Sequence, residues 1–230
     1  MLIASFPAGP WQANCYVVAR GRGEDCVIID PGVEAAAIVR EVVAEQALRP
    51  AAILLSHGHI DHIASAAELG RHFEIPTWLQ PADRALLTDP AKGLGPDSRA
   101  LLDQLLGTSQ LTEPPIVAEL FDGQELRVAG LEFRVSHAPG HTAGCVLLST
   151  DYPDSTEVSG LVFSGDVLFA GSIGRTDLPG GDPDVMLASL RDKVSRLPDG
   201  LAVLPGHGPQ TTMRREKMTN PYLQPSFLIS

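Results

Sequence analysis

Ser56-His57-Gly58-His59-Ile60-Asp61-His62 decides the reading of this chain. It follows Ala51 to Leu55, an apolar run that reads as a brief buried strand. In extended backbone, residues i and i+2 point the same way, so His57 and His59 project together. Gly58 between them lets the chain turn tightly. Asp61 is placed to open the next helix, and His62 beside it can point to a second ion next to the first. One short loop thus offers imidazoles to one cation and a carboxylate plus an imidazole to another. Such donors, without thiolate, suit Zn²⁺, Fe or Mn²⁺.

Four ligands on one loop cannot fill two metal shells, so the rest must come from other strand ends. Three segments fit. Ala138-Pro139-Gly140-His141-Thr142 holds a histidine in a Pro/Gly turn after a strand. Leu161-Val162-Phe163-Ser164-Gly165-Asp166 is an apolar strand ending in a carboxylate, which can reach two cations with its two oxygens. Leu204-Pro205-Gly206-His207-Gly208 repeats the pattern of strand followed by histidine. His72, on a helical stretch, is assigned to packing or solvent. His137 lies at a strand end near His141 and is assigned a supporting rather than a ligating role.

Around these ends the chain alternates short strands with helices. Asn14–Ala19 and Cys26–Asp30 read as a hairpin. A helix is expected from about Glu34 to Leu48, where Ile38, Val39, Val42 and Val43 keep helical spacing. A helical stretch runs from Asp61 through Leu69, a strand covers Pro76–Leu79, and a short helix Pro81–Leu87. Thr88 to Asp97 is rich in breakers and reads as a surface excursion or a lid. Leu101–Leu106 is read as helical. Further strands are expected at Val117–Phe121, Glu125–Val128, Leu131–Ser136, Cys145–Ser149, Leu161–Ser164 and Leu201–Leu204. Helices are expected at Pro183–Leu197, capped by Asp182, and at Thr211–Met218. Two groups of strands, each followed by helices, point to an α/β fold in four layers, an αββα sandwich.

The 230 residues suffice for one buried core. A formal net charge of −11 opposes binding to a phosphate backbone, so no nucleic-acid partner is expected. Arg214, Arg215 and Lys217 read as a solvated helix face. Cys15, Cys26 and Cys145 are flanked by apolar residues and read as buried free thiols, in keeping with a reducing compartment. The N-terminus lacks a basic start, and no apolar run reaches the roughly 18 to 20 residues of a membrane span. A cytoplasmic location without membrane attachment is the expectation; the oligomeric state stays open.

The same motifs resemble the metallo-β-lactamase superfamily. The likeness runs from Asp30-Pro31-Gly32 through the 57–62 loop, Gly140-His141-Thr142, Ser164-Gly165-Asp166 and Gly206-His207-Gly208. It implies the αββα sandwich with two metal ions at one edge of the sheets. On that pattern His57, His59 and His141 hold the first ion, Asp61, His62 and His207 hold the second, and Asp166 bridges. Asp61 and Asp166 take the catalytic roles, with zinc the first choice of metal and iron or manganese also suited. Within the superfamily the chain looks most like the glyoxalase II group, through Gly171-Ser172-Ile173-Gly174-Arg175-Thr176-Asp177-Leu178-Pro179-Gly180-Gly181-Asp182. That group hydrolyses glutathione thioesters such as S-lactoylglutathione, here by a hydroxide shared between the ions. Arg175 and Asp177 are expected to brace the site as a pair.

The longer glyoxalase II enzymes add a C-terminal helical domain whose basic residues grip glutathione. This chain has little beyond Thr211–Ser230 there, so a single domain, 1–230, is expected, and the resemblance supports thioester hydrolysis better than glutathione as the thiol. The rival readings are a persulfide dioxygenase with one iron on His57, His141 and Asp166, and a lactonase or other hydrolase of this fold.

Overall fold

β-Branched residues build the middle of the first sheet. A computed structural model describes residues 1–95, 97–153 and 155–229. Its first six strands, β1 (Leu2–Ala8), β2 (Ala13–Ala19), β3 (Asp25–Ile29), β4 (Arg49–Leu54), β5 (Thr77–Leu79) and β6 (Val117–Glu119), lie side by side in chain order. β1 to β3 are antiparallel, and β3 to β6 are parallel. The second sheet runs β12-β11-β10-β9-β8-β7, from Thr211–Thr212, Leu201–Pro205, Gly160–Gly165, Val146–Asp151, Leu131–His137 and Glu125–Val128. Only β10 and β11 are parallel in it.

The two sheets pack face to face through Val18, Val27, Ile29 and Leu54 on one side and Phe133, Val135, Leu148 and Phe163 on the other. Helices cover both outer faces. Val39 and Val43 of α1 (Ala35–Glu45) and Leu69 of α3 (Ala66–Phe73) pack on Val17, Ile28 and Ile53. Met186 and Leu190 of α5 (Pro183–Asp192), with Met213 of α6 (Met213–Thr219), pack on Leu147, Val162 and Val203. This is the expected αββα sandwich. The remaining helices are α2 (Ile60–Ile63), α4 (Ser98–Leu106) and α7 (Pro225–Leu228). No described helix is long and apolar enough to cross a membrane, and all three cysteines are buried and free.

Five expectations need correcting. The helix expected at Pro183–Leu197 ends at Asp192, and Val194–Arg196 follows as a 3₁₀ turn. The helical stretch after Asp61 is broken, because the Ser65 N–H bonds to the Pro31 carbonyl at 3.0 Å and so leaves the helical ladder. α1 stops at Glu45: Ala47 turns left-handed (φ 53°), and the Leu48 N–H closes back on Val43. Thr211–Thr212 is strand rather than helix, with the Thr212 hydroxyl capping α6 through the Arg215 N–H. The breaker-rich segment does not stand away from the surface; a 3₁₀ turn at Pro90–Gly93 buries Pro90, Ala91 and Gly93. Pro96 of that segment lies outside the described residues. β1 was not anticipated: Pro7 interrupts its pattern, and the strand survives because it is an edge that pairs with β2 alone.

Both sheets are fastened together at one rim. The Asn14 N–H bonds to the Gly206 carbonyl at 2.7 Å, the Tyr16 hydroxyl to the Pro205 carbonyl at 2.7 Å, and the Val146 N–H to the Ser56 carbonyl at 2.8 Å. Every candidate ligand lies on this rim. Phe163, almost fully buried, meets the Tyr16 ring at 5.3 Å and the Phe133 ring at 6.4 Å. Phe163→Ala is expected to cost about 3–5 kcal/mol of unfolding free energy, read as a lower midpoint in urea at unchanged slope.

Candidate metal centre

The C-terminal ends of β4, β8, β10 and β11 deliver the seven expected side chains to one place. Three sets have donor atoms within 4.8 Å of one another: His57, His59 and His141; His57, His62 and Asp166; and Asp61, His62 and His207. Asp166 stands between the outer sets. Its Oδ1 is 3.4 Å from His62 Nε2, and its Oδ2 is 3.5 Å from both His141 Nε2 and His207 Nε2. His62 Nε2 is 3.4 Å from His207 Nε2 and 3.6 Å from Asp61 Oδ2. Donors about 2.0–2.1 Å from a tetrahedral ion stand about 3.3–3.4 Å apart, close to these spacings. His59 Nδ1 and His141 Nε2, at 2.8 Å, must part slightly to share an ion.

Neighbouring groups set the histidine tautomers. Asp30, at the end of β3, accepts from the Ser56 N–H at 2.7 Å and the Ser56 hydroxyl at 2.6 Å. With its own proton so committed, Ser56 Oγ receives His57 Nδ1–H at 3.0 Å. Asp30 also receives His62 Nδ1–H at 3.1 Å, and the Arg175 carbonyl receives His141 Nδ1–H at 2.7 Å. Each bond makes Nδ1 the donor of its ring and aims Nε2 at the centre. His57 Nε2 and Asp166 Oδ1 are buried and have no hydrogen-bond partner among the described residues. Orphaned buried polar atoms facing one another, all imidazole or carboxylate, fit divalent cations.

Burial and the neighbouring charges pull these groups in opposite directions. Burial, then the neighbouring imidazoles, hold His57 far below the ordinary histidine range, and burial with His141 lowers His59 to about 3. Burial alone pulls His62 down, but Asp61, Asp166 and Asp30 outweigh it and push His62 up to about 10. Burial likewise raises Asp61, and His62 and His207 more than reverse this, holding its carboxyl below the usual carboxylate range.

Arg175 and Asp177 form the expected pair, with bonds of 2.7 Å and 2.6 Å, but their side chains are 60% and 67% exposed at the rim. Arg175 reaches the centre through its main-chain carbonyl. His137 donates from Nε2 to the Ala143 carbonyl at 2.9 Å and steadies the His141 turn. His72 is on α3, stacked edge-on against Phe73 and apart from the three sets.

The sequence reading missed Asp83. Its buried carboxylate accepts from the Gly58 N–H at 2.8 Å, the Thr142 hydroxyl at 2.6 Å and the Gly144 N–H at 2.8 Å. It therefore staples the 57–62 loop to the His141 turn. Asp30 was seen only as a strand end, and Trp11 and Phe169 on the cleft wall were not noticed. A buried acid far from every motif leaves no signal in spacing. Gly206 is required for space: a Cβ there would overlap Asp166 Oδ1 and His62 Cε1.

Comparison places this geometry in a family. The metallo-beta-lactamase superfamily model matches residues 8–207, and the chain belongs to that superfamily. An uncharacterized protein of Mycobacterium tuberculosis is 44% identical over 225 residues, covering 97% of this chain and 98% of the relative. Hydroxyacylglutathione hydrolase GloC of Haemophilus influenzae is 33% identical over 230 residues, covering 97% and 98%. Among solved structures, the BLEG-1 B3 metallo-beta-lactamase superposes with TM-score 0.81 at 39% identity, covering 97% of this chain and all of that one. TTHA1623 in a di-iron-bound form superposes with TM-score 0.75 at 38% identity, with the same coverage. The chain is thus of the metallo-hydrolase class, with a histidine and aspartate cluster for divalent metal.

Asp83→Asn, which keeps the side chain's size but removes its charge, is expected to weaken metal retention about 10- to 100-fold in chelator competition. Loading the metal-free protein at pH 8 is expected to release at least about one proton per chain, since His62 must give up its Nε2 proton; a pH-indicator dye reads this directly.

Proposed function

We propose that this chain is a binuclear metallohydrolase that cleaves acyl thioesters in the manner of glyoxalase II. The carrying observation is Asp166, whose carboxylate lies within 3.5 Å of His141 from one set and of His62 and His207 from the other. In this reading His57, His59 and His141 would hold one ion and Asp61, His62 and His207 the other, with Asp166 within reach of both. Zinc is the first choice. The di-iron form of a 38% identical structure makes iron the metal to compare.

When bound, a pair of divalent ions supplies Lewis acidity and lowers the pKa of water from about 15.7 to near 7. The residues of this chain do the remainder. Asp61, whose Oδ2 lies 3.1 Å from His207 Nε2, would help hold its ion and is the carboxylate placed to steer the proton released as water adds to the thioester carbonyl. Asp30, Ser56 and the Arg175 carbonyl keep three imidazoles in one tautomer throughout. The C–S bond breaks with its electron pair going to sulfur. A thiol with pKa near 8.5 leaves without a dedicated acid, and none is needed in the cleft.

The likeness to GloC supports this reaction and makes S-lactoylglutathione the reference substrate. The likeness to BLEG-1 makes a β-lactam the necessary comparison. A one-iron persulfide dioxygenase would need only His57, His141 and Asp166. The second set, with His207 Nε2 only 3.1 Å from Asp61 Oδ2, favours two ions and hydrolysis. The substrate in this reading is a small molecule; no nucleic acid or membrane takes part.

The test is metal analysis coupled to turnover of S-lactoylglutathione, a lactone, a β-lactam and, on an oxygen electrode, glutathione persulfide. Thioester turnover with about two ions per chain is the expected result; oxygen uptake with one iron would overturn it. Asp166→Asn should nearly abolish hydrolysis and lower metal content. Full activity at full metal content would refute the bridge.

A further inference from the structure

The centre opens into a cleft of about 380 Å³, at the small end for ligand sites. Its floor is the histidine and aspartate cluster. Its walls are Trp11, Ile60, Leu94, Phe169 and Leu178. Trp11 and Leu94 are half-buried, packed on an apolar cluster that includes Val33, Ile60 and Leu102. Phe169 stands edge-on to His207, with ring centres 6.1 Å apart. The apolar wall therefore begins directly at the candidate ligands.

Charge on the wall is already spent. Arg175 is the one lysine or arginine among the described residues lining this cleft, and Asp177 grips it with two hydrogen bonds. The next cations, Lys92 and Arg99, line a shallower neighbouring cleft. Both pair with the same oxygen of Asp89, at 3.9 Å and 2.7 Å. An anionic group seated here would find no unpaired cation among these residues, whereas an apolar group would find two aromatic rings and two leucines.

We propose that this wall is an acyl pocket, and that Trp11 and Phe169 set a preference for apolar acyl groups over 2-hydroxyacyl groups. The acyl side is favoured because a thiol such as glutathione carries carboxylates, which find no unpaired lysine or arginine on this wall. The thiol can extend through the open mouth into solvent. The proposal rests on the thioesterase reading and narrows it.

The experiment uses the metal-loaded full chain and holds the thiol constant: acetyl-, butyryl-, hexanoyl- and lactoyl-glutathione thioesters. A buried methylene contributes about 0.8 kcal/mol, which is about fourfold per CH₂. We expect kcat/KM to rise about fourfold per methylene up to hexanoyl and to exceed that for lactoyl. Trp11→Ala should collapse the hexanoyl-to-acetyl ratio. If that variant does not fold, Leu178→Asp should lower the same ratio by placing a charge on the wall.

A second readout does not need turnover. Hexanamide, which carries the acyl chain without an anionic group, should quench tryptophan fluorescence saturably, and Trp11→Phe should remove the response and leave only Trp78. Thioester hydrolysis with flat chain-length dependence, or with lactoyl preferred, overturns the pocket and leaves the reaction standing. Quenching through Trp11 without hydrolysis of any thioester supports the pocket and overturns the reaction. Absence of both quenching and chain-length dependence overturns the pocket.

Discussion

The buried carboxylate of Asp30 is the interaction on which the rim depends. It accepts from the main chain and the side chain of Ser56 and from His62 Nδ1. A carboxylate this buried is costly unless its lone pairs are engaged, and these three bonds engage three of about four. In return it fixes where β4 ends, which way His57 and His62 turn, and which nitrogen of each faces the cleft. Asp30 itself sits in the left-handed region, at φ 51°, a conformation that only surrounding structure can enforce.

Asp83 does for the join between sheets what Asp30 does within one. The first sheet supplies the 57–62 loop and the second supplies His141, Asp166 and His207. Nothing in the pairing of either sheet sets the distance between those groups. The Asp83 bonds to Gly58, Thr142 and Gly144 set it on one side. The Asn14 and Tyr16 bonds to the 205–208 turn set it on the other. The segment at 90–94 closes over the result, with Gly93 close enough that a Cβ there would reach 3.0 Å from His59.

The cluster so assembled gathers groups with opposed demands. Imidazoles packed in a dry site lower one another's proton affinity, and the carboxylates beside them raise it for His62 and His207. Divalent cations resolve both tensions at once, by taking the lone pairs and screening the carboxylates. Catalytic sites are commonly built this way, with unfavourable local chemistry on a rigid support.

By itself the sequence determined that metal-type ligands sit at four strand ends, because each motif is local: an apolar strand, a glycine, then a histidine or aspartate. It determined the layers too, since strand and helix periodicities differ within a few residues. Tertiary structure alone decided what those local patterns cannot encode. β1, broken by Pro7, is a strand only because β2 lies beside it. Asp83 and Asp30 matter only because residues distant from them in the chain bring N–H and O–H donors to them. The wall of Trp11, Leu94, Phe169 and Leu178 exists only where three distant segments meet. Such properties belong to distances between segments, and those distances are set by how two sheets pack.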